Sequence, residues 1–196
     1  MRQTSLLLLT ACTCACASAT TARTGSEPAG KKAAAAAGAI AGSTSPSASA
    51  LIEPRGGGGG LSGDAKLITV GNDSLGVHLE LKGAPPGQHG VHLSDQGDCT
   101  SAIGFHYNPN RSAHHGGPAT PVRHGGDLGN IEVDASGKGA LDVVVGDLSL
   151  ASVANGVVGR ALVVSERADD LRTDPDGGAG DRIGCGIILA PLLGQP

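Results

Sequence analysis

The sequence predicts an all-β domain of antiparallel strands, and three observations carry that expectation. Beyond a low-complexity front end, short apolar segments alternate with turn residues, the spacing of strands rather than of helices. One segment alternates residue by residue: Leu75, Val77, Leu79 and Leu81 face one way while His78, Glu80 and Lys82 face the other, as in a half-buried strand. Finally, 33 glycines and 11 prolines in 196 residues mark many turns. Phe105 and Tyr107 are the only aromatic residues besides histidine, so the core must be built from Val, Leu, Ile and Ala.

Taken in order, residues 1–17 carry one early positive charge at Arg2, an apolar run from Leu6 to Leu9 and then small residues, which is a signal-peptide pattern. The tetrapeptide ending at Cys12, Leu-Thr-Ala-Cys, resembles the bacterial lipoprotein box, whose cysteine becomes lipidated. Cleavage after Ala17, at an A-x-A-like site, is the alternative. Both readings put the protein outside the cytoplasm, in a bacterial periplasm or on the outer surface. Residues 18–45 are mostly Ala, Ser, Thr and Gly, and they cannot bury enough apolar surface to offset the entropy of ordering; they read as a tether.

The domain then occupies residues 46–196. Residues 48–52 and 65–70 read as strands joined by a loose turn through the glycine run 56–60, followed by the alternating strand 75–82. His78, on the polar face beside Lys82, reads as a solvated histidine. A turn at 83–87 leads into strand 89–93, and a long loop then spans residues 94–126. Strands resume at 131–134, 141–145, 157–164 and 183–189, with a second charged, Gly-rich loop over 166–182. Loops this long call for a function or a constraint.

Composition narrows the partners. A formal net charge of −4, with no basic cluster and no aromatic platform, lacks the footprint of a nucleic-acid binder. Membrane contact is expected only through a lipid on Cys12. Of five cysteines, Cys12, Cys14 and Cys16 crowd the front end, leaving Cys99 and Cys185 in the domain. That isolated pair suggests one disulfide, favoured over two buried thiols by the export signal.

The long loop is where the chemistry gathers. Residues 106–127 hold four of the seven histidines and an aspartate on a segment too rich in Gly, Pro, Asn and Ser for regular structure. If His106, His115, His124 and Asp127 converge, they offer the mix of imidazole and carboxylate that suits tetrahedral Zn²⁺.

The residues also resemble a known family. GQHGVHL from Gly87, GDCTSA from Gly97, HYNP from His106, HGGP from His115, RHGGDLGN from Arg123, GRALVV from Gly159, ADDL from Ala168 and DRIGCG from Asp181 follow the order of the copper/zinc superoxide dismutases. The resemblance covers roughly residues 47–189. It implies an eight-stranded antiparallel Greek-key β-barrel, a β-sandwich architecture, with long zinc and electrostatic loops. It implies that His106, His115, His124 and Asp127 hold zinc, that His106 also faces copper, and that Cys99 pairs with Cys185. His114 competes with His115, but only His115 heads the HGGP motif. His92 matches the first copper ligand, Arg182 the anion-guiding arginine, and Asp169 the carboxylate linking a copper histidine to a zinc histidine.

Two positions depart from the pattern. Where the family continues as His-x-His, this chain reads His92-Leu-Ser94, and where it has Val-Val-His, this chain reads Val-Val-Ser165. Two of the four copper ligands are therefore serines, leaving His92 and His106 with help at most from Asp95. A protonated hydroxyl does not replace imidazole at copper, and Zn²⁺ has no redox couple with which to dismute superoxide. Asp174, Asp176 and Asp181 add negative charge near the expected anion channel. The expectation is one zinc per chain, a copper site too incomplete for family-like binding, and dismutase activity lost or strongly reduced. The alternative is an active superoxide dismutase with a depleted copper site. Monomer and homodimer both fit the sequence.

Overall fold

The computed structural model describes residues 47–71, 73–100, 105–150 and 152–191; the expected signal peptide, Cys12 and the tether lie outside the described residues. Eight strands follow in chain order: β1 (Ser47–Pro54), β2 (Ser62–Val70), β3 (Ser74–Lys82), β4 (Gly87–Ser94), β5 (Asp127–Val133), β6 (Gly139–Gly146), β7 (Ala161–Ser165) and β8 (Arg182–Ile187). They close into a barrel in the order β1-β2-β3-β6-β5-β4-β7-β8, every pairing antiparallel. The jumps from β3 to β4 and from β6 to β7 make the Greek key. Closure removes the sheet edges that would otherwise invite pairing with another chain.

The alternation read on β3 is realised: Leu75, Val77, Leu79 and Leu81 are buried in the barrel. Ala48, Ala50 and Ile52 of β1, Ile131 and Val133 of β5, and Leu162 and Val164 of β7 join them in one aliphatic core. Fully burying one such Leu stabilises the fold by about 2 kcal/mol. His78 is not a free surface histidine. Its ring is largely covered and its Nδ1 lies 2.7 Å from Asp142 Oδ1 on the neighbouring strand β6, because the register places the two side by side.

β4 and β7 depart from alternation. Nearly all of β4 and every residue of β7 is buried. One face of each packs into the core; the other lies under the two loops. The outward set on these strands, His92, Ser94, Val163 and Ser165, is thus roofed rather than solvated, and this is the wall on which the site is built. The disulfide Cys99–Cys185 fastens the first loop to β8, with its Cα atoms 5.7 Å apart. Tyr107, also from that loop, is buried in the core, and the Arg160 guanidinium lies 3.6 Å from its ring centroid.

Candidate metal centre

Asp127 is the first residue of β5 and is fully buried. The loop that returns to it brings three imidazoles to one carboxylate oxygen. Around Asp127 Oδ1 lie His106 Nδ1 at 2.7 Å, His115 Nδ1 at 3.1 Å and His124 Nδ1 at 3.5 Å. Asp127 Oδ2 accepts the backbone N–H groups of Gly116 and His124, which fixes the carboxylate and the loop together. His115 Nδ1 and His124 Nδ1 are buried and make no hydrogen bond. Orphaned buried nitrogens carry a desolvation cost that a bound cation would relieve, so the donor set fits a metal ion.

His92 is close enough to join the cluster: ligand atoms of His92, His106, His115 and Asp127 lie within 4.8 Å of one another. Its ring stacks on His106 with centroids 3.8 Å apart. However, His92 Nε2–H donates to Asp169 Oδ2 at 2.8 Å, whereas the His124 nitrogen facing Asp127 has no hydrogen bond. His106 Nδ1 is bonded to Asp127 Oδ1, so the buried ring nitrogens of the cluster left without a partner are those of His115 and His124. His114 points away, with its side chain 66 % exposed, so of the adjacent pair only His115 enters the cluster.

Asp169 ties the two halves of the site together. One oxygen takes the His92 hydrogen bond and the other that of His115 Nε2, both at 2.8 Å. Asn130 of β5 holds Asp169 in turn, donating to its carbonyl and accepting its N–H. Such partners fix which ring nitrogen is left for a metal. Arg123, a further buried polar residue, donates to the carbonyls of His124 and Gly125. His89 lies between the carbonyls of Ser165 and Pro85.

Charge follows from this packing. Burial lowers His92 to about 4 despite its bond to Asp169, and lowers His124 as well. Burial also acts on His115, but two adjacent carboxylates outweigh it and raise the imidazole to about 10. Burial would raise Asp127 and Asp169; their histidine partners prevail and hold both below the usual carboxylate range.

A cavity of about 290 Å³ adjoins the cluster, lined by His92, Ser94, His106, Ser165, Arg182 and the acidic pair Asp176 and Asp181 among others. Both serines are buried, and Arg182 Nη2 donates to Ser94 Oγ at 3.5 Å. Two expectations need correction. Asp95 lies in the cleft on the other side of His106, not in this cavity. Asp174 turns away to His114 and to the backbone of His115. Nothing in the residue types signalled that second contact, because its partner is a backbone N–H that every residue except proline possesses.

A closed Greek-key barrel with a His/Asp cluster roofed by two loops defines a metal-binding β-barrel protein. The family model described as copper/zinc superoxide dismutase (SODC) matches residues 61–188, and the chain belongs to that family. It is 42 % identical over 122 residues to "Extracellular superoxide dismutase [Cu-Zn]" of Drosophila melanogaster, a match over 57 % of this chain and 66 % of the relative. It is 35 % identical over 151 residues to "Copper chaperone for superoxide dismutase" of Rattus norvegicus, over 72 % of this chain and 52 % of the relative. The chain thus spans between about half and two thirds of these curated relatives. Among solved structures, that of "the clock protein EA4" is similar with a TM-score of 0.66 and 32 % identity, covering 76 % of this chain and 98 % of the other.

Proposed function

We propose that this chain is an exported zinc-binding member of the family in which copper-dependent dismutation is lost or strongly reduced. The observation that carries the reading is the pair of buried hydroxyls, Ser94 and Ser165, lining the cavity beside His92 and His106. His106, His115, His124 and Asp127 are the residues that would hold zinc, which supplies no electron transfer and acts by closing the loop on itself. Copper does not fit what remains. Two imidazoles face a wall whose other polar groups are neutral hydroxyls, and these are weak donors to a soft or borderline metal. Asp176 and Asp181 share that wall with Arg182, a charge balance that does not favour superoxide.

Location outside the cytoplasm is part of the proposal. The disulfide is the kind of bond that persists in oxidising compartments, and one relative is named as extracellular. A lipid on Cys12 would be the membrane attachment. The chain acts as a monomer or a homodimer.

A second reading, an active enzyme converting superoxide to oxygen and hydrogen peroxide at an unusual copper site, is favoured by one feature. Arg182 still lines the cavity and Asp169 still links His92 to His115. One experiment separates the two: metal content and dismutase rate of copper- and zinc-loaded protein, wild type beside Ser94→His/Ser165→His. We expect one zinc, little copper and little activity in wild type, with copper binding and activity gained in the double variant. Tightly held copper and rapid dismutation in wild type would favour the second reading.

A further inference from the structure

The loop between β7 and β8 grips the metal centre at a point outside both the cluster and the cavity. Asp174 Oδ1 accepts the backbone N–H of His115 at 2.6 Å, and Asp174 Oδ2 accepts from His114 Nδ1 at 2.9 Å. His115 is therefore held twice by this one loop, at its ring by Asp169 and at its backbone by Asp174. The turn that presents Asp174 is closed by the Gly177 N–H donating to Thr173 O and the Asp170 N–H to Gly177 O. Gly177 has φ +65°, and a Cβ there would collide with Asp169 and crowd His115 Nε2, so the turn sits directly against the ligand it serves. The clasp itself is on the surface, with the Asp174 side chain 46 % exposed, so removing it leaves the core unaltered.

We propose that Asp174 is a positioning residue for a metal ion at His115: it fixes the ligand's backbone from the second loop, His114 completes the clasp, and together they slow metal release. The proposal rests on reading His106, His115, His124 and Asp127 as the zinc site. His115 stands in a Gly- and Pro-rich segment with little local propensity to hold it, and a metal can leave only if one ligand swings away. A bond between a carboxylate and a backbone N–H is charge-assisted and stronger than a neutral one. Breaking it is part of freeing His115. The second loop thereby has a purpose that does not need superoxide, which accounts for its close packing on His115 beside an incomplete copper site.

The test uses the full chain loaded with one zinc. Release into excess chelator is followed with a metallochromic indicator for wild type, Asp174→Ala, Asp174→Asn and His114→Ala, and the visible bands of the Co²⁺-substituted proteins are recorded. Asp174→Ala is expected to release zinc roughly tenfold faster or more, the range seen when partners of metal ligands are removed, and to shift the Co²⁺ bands. Asp174→Asn keeps an oxygen for the His115 N–H but not its charge, and should release zinc more slowly than Asp174→Ala and faster than wild type, as should His114→Ala. The metal-free variants should melt with metal-free wild type. Release from Asp174→Ala indistinguishable from wild type, or unchanged Co²⁺ bands, overturns the proposal. Wild type that takes up neither zinc nor cobalt overturns the metal-site reading itself, and shows this before any variant is compared.

Discussion

At the residue scale, the buried histidines of the site pull in opposite directions on pH. In an unfolded chain histidine titrates near 6.5, while in the metal-free fold His92 is lowered to about 4 and His124 is lowered too. As pH falls below about 6.5 the unfolded chain takes up protons that these folded sites refuse, so stability declines. His115, raised to about 10, contributes in full below about 6.5 and loses its contribution as pH rises from there through about 10. The lowered Asp127 and Asp169 contribute fully above about 4 and are level across this window. Metal-free protein should therefore be most stable near pH 6.5, and urea midpoints taken at about pH 4.5, 6.5 and 9 should form a peak. A midpoint still rising at the alkaline end would show that His115 is not paired as described. Zinc bound through His115, as proposed, would displace its proton, so uptake should release protons. The convergence of His106, His115 and His124 on Asp127 was legible because histidines in a loop without strand character have few other uses. Asp174 and Asp95 were misplaced, because the sequence does not say which way a loop carboxylate turns.

At the scale of elements, legibility followed alternation. β3 matched its expected range to within one residue because one of its faces is core and the other opens to solvent at Glu80 and Lys82. β7 was expected over 157–164 but runs Ala161–Ser165. Val157 is buried without being in the strand, and Gly159, at φ +86°, turns the chain just before β7 begins. β5 was expected from Ile131 and begins at Asp127, since an aspartate following two glycines at a strand's first position looks like loop in the sequence. The disulfide belongs to this scale as well. It fixes the start of the first loop to β8 across a separation of 86 residues. Cys185→Ser should lower unfolding free energy by about 2 to 5 kcal/mol, measured by urea titration of wild type and variant without reductant. Equal midpoints would mean that the loop is held by other contacts alone.

For the whole molecule, the front half of the barrel could be read from apolar patterning, but its closure could not. Alternation says which face is buried and nothing about which strand lies beside which; the order of β4, β5, β6 and β7 came only with the family resemblance. Metal and fold should then be linked globally. Free zinc at about a thousand times its dissociation constant should add about 4 kcal/mol to the stability of the folded state, seen as a rise in Tm that chelator reverses. A Tm indifferent to chelator would mean that the loop is ordered without metal. Tyr107 supplies the means of watching. It is the only tyrosine in a chain without tryptophan, it is buried beneath Arg160, and it follows His106 directly in sequence. The ultraviolet emission of the native protein therefore arises almost wholly from one phenol ring beside the metal centre, so that loss of the ion and loss of the fold can be followed by fluorescence without adding a label.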